Sequence, residues 1–173
     1  MPGESLEEPP DRARSGAELA AVAAPAPIAT KLCPDNHPND PDAEECRICD
    51  RRFEGGTEVV ALEPRSVARL LLEDGSAVDV ADSLMIGRSP IGSEGVDTLT
   101  VTGRQVSRRH LLLEARGWQL YVMDCDSTNG TFLTRRGEKG RRRVPVDEAI
   151  PVRIGDSIHF GSRQALVVQA RTS

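Results

Sequence analysis

Four short stretches carry side chains whose types and spacing could do chemistry. Cys33-x3-His37-x8-Cys46-x2-Cys49 offers three thiolates and an imidazole, a full tetrahedral set for zinc. MIGRSP puts Gly87-Arg88 at the end of an apolar run, and VSRRHLLLE leads Ser107, Arg108 and His110 into another. DCDSTNGTF ends in the turn pair Asn129-Gly130, preceded by Ser127 and Thr128. Two arginines, several hydroxyls and an amide are the donors that a phosphate dianion, with three acceptor oxygens, requires.

The cysteine stretch lies in LCPDNHPNDPDAEECRICDRRF, residues 32–53, which is dense in Pro and Asp and has no apolar core of its own. Such a segment folds when metal supplies the energy. With all four positions filled, one structural zinc per chain is expected. A redox C-x-x-C pair is the competing reading, and it lacks the βαβ context that such pairs occupy. The module resembles a short zinc ribbon or knuckle, although its C-x3-H half departs from the commoner C-x2-C. Cys125, between Asp124 and Asp126, reads as an ordinary thiol.

The other three stretches need strands to hold them. Residues 1–31 are rich in Ala, Pro, Glu and Ser and read as a disordered tail. Residues 54–65 read as a linker. From Ser66 to Arg171 the chain becomes short β-branched runs separated by turn residues, alternating in WQLYVM and SIHF. Asp74-Gly75, Arg116-Gly117 and Asn129-Gly130 read as hairpin tips. About ten short strands with no helical period indicate an all-β, antiparallel sandwich, whose end loops form the natural binding surface.

Composition narrows the function. Residues 1–60 carry 13 acidic and 6 basic side chains, whereas residues 61–173 carry 14 and 16. Nearly all the basic residues of the second part are Arg, a composition typical of a GC-rich bacterial genome. A nucleic-acid binder shows a stronger basic excess and clustered aromatics. A zinc-dependent nucleic-acid-binding or regulatory protein, with the β domain serving as a phospho-independent assembly module, is therefore the weaker reading. No apolar run reaches the roughly 20 residues of a membrane span. The acidic, Pro-containing start lacks the features of a secretory signal, which makes a cytoplasmic protein the expectation. RRGEKGRRR, Arg135 to Arg143, reads as a solvated loop that could attract acidic partners.

GR, S-x-x-H, N-G and GDSIHFG, in that order, resemble the forkhead-associated (FHA) domain over residues 66–171. The resemblance implies a β-sandwich of about eleven strands that binds phosphothreonine peptides in a Ser/Thr kinase pathway, a signalling adaptor and not an enzyme. It implies that Arg88, Ser107 and Arg108 contact the phosphate. Thr128 would line the phosphate or the threonine-methyl cavity, and Asn129 would hold the peptide backbone. His110 would brace the serine loop, with Gly87 and Gly130 as conformational supports. Two catalytic readings fail on context: Ser107, His110 and Asp124 as a triad, and Gly155-Asp156-Ser157 as a GDS hydrolase signature. The zinc module is expected to leave the β domain independent, because their cores are separate.

Overall fold

The computed structural model describes residues 26–55, 57–62 and 66–170. Its strands are β1 (Ile28–Leu32), β2 (Pro38–Asn39), β3 (Val59–Leu62), β4 (Ala68–Leu72), β5 (Ala77–Val80), β6 (Ser83–Gly87) and β7 (Val96–Thr100). They continue with β8 (Leu111–Arg116), β9 (Gln119–Asp124), β10 (Thr131–Thr134), β11 (Arg142–Arg143), β12 (Ile150–Val152), β13 (Ser157–Phe160) and β14 (Arg163–Val168). Eleven of them, β4 to β14, form a six-stranded sheet in the order β11-β10-β13-β14-β4-β5 and a five-stranded sheet in the order β12-β9-β8-β6-β7. The fold is the all-β sandwich that the alternation predicts.

The inward residues explain why the two sheets close. Leu111 and Leu113 of β8, Leu120 and Val122 of β9, and Leu133, Ile158 and Phe160 of the opposite sheet are all buried in one cluster. Each fully buried aliphatic or aromatic side chain is worth about 1.5–3 kcal/mol. Strand β6 is buried at four consecutive positions, Leu84 to Gly87, because it lies inside its sheet between β7 and β8. It pairs in parallel with β7 and antiparallel with β8.

Two sequence expectations are revised here. Residues 1–25, most of the expected disordered tail, lie outside the described residues. However, Ile28–Leu32 is strand and pairs antiparallel with Val59–Leu62, which falls in the expected linker. IATKL and VVAL are too short to stand out from their Ala- and Gly-rich surroundings, yet each supplies the other's backbone partners, Thr30 opposite Val60 among them. The second revision concerns Asn129-Gly130. Asp74-Gly75 and Arg116-Gly117 do turn hairpins, β4–β5 and β8–β9. Asn129-Gly130 instead lies between β9 and β10, which belong to different sheets. It is a corner where the chain crosses the sandwich.

The cysteine module packs on the far end of the sandwich from that corner. Trp118, the sole tryptophan, is buried at the β8–β9 turn. Its indole Nε1–H donates to Thr30 Oγ1 at 2.8 Å, and its backbone N–H donates to Asp40 Oδ1 at 2.9 Å. Arg47 stacks over the same ring at 5.6 Å and donates from both terminal nitrogens to the Val67 carbonyl. Burial lowers the Arg47 guanidinium to about 10, against the opposing pull of Asp40 and Cys46. Arg136 completes the contact through the Ile48 carbonyl and the Asp50 carboxylate. The cores are separate, but the two parts are not independent.

This arrangement sets the energetic weight of Trp118. Trp118→Ala is expected to cost about 3–5 kcal/mol, because it opens the interface as well as a cavity. Trp118→Phe, which loses the bond to Thr30 but keeps most of the bulk, should cost about 1 kcal/mol. Urea unfolding of the full chain measures both. A negligible cost for the alanine variant would mean that the module does not dock in solution.

Candidate functional site

The site is built at the β6, β8 and β10 ends of the two sheets. Gly87 closes β6, and its missing side chain is a requirement: a Cβ there would fall 1.9 Å from the Arg108 carbonyl oxygen. The serine loop can therefore lie directly on the strand end. The Arg88 N–H donates to the Ser107 carbonyl at 2.9 Å, and the Ser89 N–H donates to that of Arg108 at 3.3 Å. Arg88 and Arg108 are thus tied by their backbones while both side chains stay exposed. Among the described residues, no hydrogen bond or ion pair engages either guanidinium.

His110 joins the serine loop to the corner. It is fully buried, and its Nδ1 accepts the Ser107 N–H at 3.1 Å. Its Nε2 donates to the Gly130 carbonyl at 3.2 Å. One nitrogen accepting and the other donating is the pattern of a neutral ring. Phe160 packs edge-on against it at 5.9 Å. Across the gap so fixed, the Thr128 N–H donates to Ser107 Oγ at 3.0 Å, and the two hydroxyls are 3.4 Å apart. The Asn129 side-chain N–H donates to the Gln105 carbonyl at 2.9 Å. Its other N–H and its carbonyl oxygen stay available. Arg88, Ser107, Arg108, Thr128 and Asn129 therefore converge on one surface.

The corner is held from within by Asp124, which is 1% exposed. Its carboxylate accepts the Ser127 N–H at 2.9 Å, the Ser127 hydroxyl at 2.7 Å and the Thr131 hydroxyl at 2.5 Å. Ser127, counted in the sequence among the groups that could hold an oxyanion, is buried and spent on this carboxylate. The same bonds dissolve the triad reading, since Asp124 serves Ser127 and Thr131 while His110 takes a backbone N–H from Ser107. Asp156 of the GDS stretch is likewise consumed, by Arg135 and by the backbone N–H groups of Arg136 and Arg153.

The second candidate centre is the cysteine group. One ligand atom from each of Cys33, His37, Cys46 and Cys49 lies within 4.8 Å of every other. Cys33 Sγ is 3.4 Å from His37 Nδ1 and 3.9 Å from Cys49 Sγ, and Cys46 Sγ is 3.7 Å from His37 Nδ1. A tetrahedron with metal–sulfur bonds of about 2.3 Å has edges of about 3.8 Å. The donor set therefore fits a tetrahedral ion. Burial pushes the Cys46 thiol up, but hydrogen bonding from the Cys49 and Ile48 backbone, and from Cys49 and Asn39, outweighs it and brings the thiol down to about 6. Asn39, buried and unremarked in the sequence, donates to Cys46 Sγ and the His37 carbonyl, and accepts the Arg47 N–H.

The β-sandwich thus gathers exposed guanidiniums, a serine hydroxyl and an Asn-Gly corner at one end. Residues 84–161 match the model of the FHA domain, and the chain carries one. It is similar to the FHA domain-containing protein FhaB of Mycolicibacterium smegmatis, with 38% identity over 96 residues covering 54% of this chain and 60% of that protein. FhaB of Mycobacterium tuberculosis is also 38% identical, over 102 residues covering 58% and 64%. The chain thus spans a little under two thirds of the length of these relatives. The FHA domain of human APLF in complex with an XRCC1 bisphospho peptide is similar with a TM-score of 0.50 and 25% identity, covering 60% of this chain and 98% of that one.

Acid should report on the brace. Burial holds the His110 imidazole below its ordinary 6.5, outweighing the Gly130 carbonyl and the Asp124 charge. The unfolded chain accepts a proton that the folded one resists, so stability is full above about pH 6.5 and falls as the pH drops below it. His159, lowered by burial and by Arg141, acts in the same direction. Urea midpoints between about pH 7 and pH 5 should therefore fall more steeply for wild type than for His110→Gln. Parallel slopes would show that His110 does not titrate against folding.

Proposed function

We propose that this chain is a phosphothreonine-peptide-binding adaptor working downstream of a Ser/Thr protein kinase in the cytoplasm, with a structural zinc in its N-terminal module. The observation that carries the reading is the braced gap. Ser107 Oγ is held against the Thr128 N–H, while the Arg88 and Arg108 guanidiniums stay exposed and without partners among the described residues. A phosphate entering this gap would take the Ser107 hydroxyl hydrogen and both guanidiniums, each a charge-assisted donor. Asn129, anchored to Gln105 by one N–H, would hold the peptide backbone with what remains. The boundaries follow the same division: a metal module around residues 32–53, extended by β1 and β3, and the FHA domain over residues 66–171.

Zinc would be held by the sulfurs of Cys33, Cys46 and Cys49 and by His37 Nδ1, with no position left for substrate. It would order a segment that lacks an apolar core. The ion would act on the sandwich through Trp118, because Thr30 and Asp40 are both carried by the module.

Arg88→Ala should abolish phosphopeptide binding in calorimetry with the fold intact, a loss of about 1.5–3 kcal/mol or more. Phosphothreonine should bind several-fold more tightly than phosphoserine, since burying one methyl is worth roughly 0.8 kcal/mol. Equal affinity for the two would mean that the site reads charge alone. Native mass spectrometry should find one zinc per chain in wild type and none after Cys46→Ser. Chelation should shift the Trp118 emission to longer wavelength, and unchanged emission with zinc removed would uncouple the metal from the interface.

A further inference from the structure

Arg88 and Arg108 of the candidate site come from motifs visible in the sequence, but a further arginine arrives from far along the chain. Arg143 belongs to the RRGEKGRRR stretch, where it reads as part of a solvated loop. In the fold it sits opposite Phe132 in the β10–β11 pairing. The Val144 N–H donates to the Thr131 carbonyl at 2.9 Å and extends that pairing. Gly130 precedes Phe132 by two residues, so Arg143 is its diagonal cross-strand neighbour.

The side chain follows the backbone onto the corner. Gly130 has φ +76°, and the space its missing Cβ would fill is bounded by Arg143: Nε at 3.2 Å, Nη2 at 3.4 Å and Cζ at 3.5 Å. The guanidinium lies flat against the corner, one residue beyond Asn129 and two beyond Thr128. Adjacent Cα atoms are about 3.8 Å apart, so this places the charge within roughly two residue lengths of the Thr128 amide. Arg142 is spent on Glu138 at 3.2 Å. Arg143 is exposed and, among the described residues, has no carboxylate against it.

We infer that Arg143 is a specificity residue: it receives an anionic side chain of the peptide, a carboxylate or a second phosphate, a short distance along the chain from the phosphothreonine. The inference rests on the phosphopeptide reading of the site. A guanidinium fixed by strand register and resting on a glycine corner is pre-organised, so little rotamer freedom is lost on engaging an acid. A fork so placed reads position along the peptide, whereas a mobile loop charge would reward acid anywhere.

The test is a set of phosphothreonine peptides titrated into the full chain at one salt concentration. A neutral parent is compared with versions carrying one glutamate, or one further phosphothreonine, at each of the flanking positions in turn. Wild type should gain roughly three- to tenfold at one position and little at the others. Arg143→Gln should erase that gain, and Arg143→Lys should restore part of it. The glutamate and phosphothreonine arms tell which anion is preferred. A gain that is the same at every position, or that survives Arg143→Gln, would overturn the inference. Failure of the neutral parent to bind wild type would instead overturn the phosphopeptide reading itself.

Discussion

Everything at the binding end depends on one buried imidazole. His110 takes the Ser107 N–H on one nitrogen and gives its other N–H to the Gly130 carbonyl. These groups, Ser107 and Gly130, are 23 residues apart and lead into strands of opposite sheets of the sandwich. Val106 anchors the serine loop in the core beside Ser107, and the imidazole ring spans the gap from that loop to the corner. The ring can do this only while neutral, because a protonated Nδ1 could not accept. Burial against Phe160 keeps it so. A structural demand and an electrostatic one are met by the same desolvation.

The two ends of the sandwich divide the labour. Strand β8 starts at the His110 end and stops at Gly117-Trp118, a run of six residues or about 20 Å. The far end is closed by packing around the indole, with the Arg47 stack and the bond to the Thr30 hydroxyl. The near end is closed by hydrogen bonds that leave the Arg88 and Arg108 guanidiniums without partners among the described residues. The cysteine module contacts the far end through Trp118, Arg47 and Arg136.

The sequence shows what is periodic or local. Alternation in WQLYVM and SIHF gave away the sandwich, because Leu120, Val122 and Asp124 all face inward from β9. The spacing of the cysteine stretch showed its donor set. Long-range features stayed hidden for a physical reason: their partners are remote in sequence. Nothing local distinguishes Trp118 from an ordinary strand aromatic until Thr30, 88 residues earlier, closes on it. Arg143 looks like any loop arginine until β11 pairs with β10. Asn129-Gly130 carries a hairpin signature, and the corner it makes is visible only when β9 and β10 are found in different sheets. Ser127 and Thr128 are equivalent as letters, yet one hydroxyl turns to Asp124 and the other to Ser107.

That last division explains how a surface turn can serve as a binding wall. An exposed loop with several hydroxyls would ordinarily be mobile, and a ligand would have to order it at a cost of about 0.5–1.5 kcal/mol for each side chain immobilised. Here Asp124 spends that ordering in advance. It binds Ser127 twice and Thr131 once, which fixes the corner on both sides of Thr128 and Asn129. Three donors from the corner face this buried carboxylate. Deleting those donors would leave a charge buried without partners, among the costlier defects a core can carry. The corner is therefore rigid because its interior is polar, and the acceptor that makes it rigid is turned away from solvent.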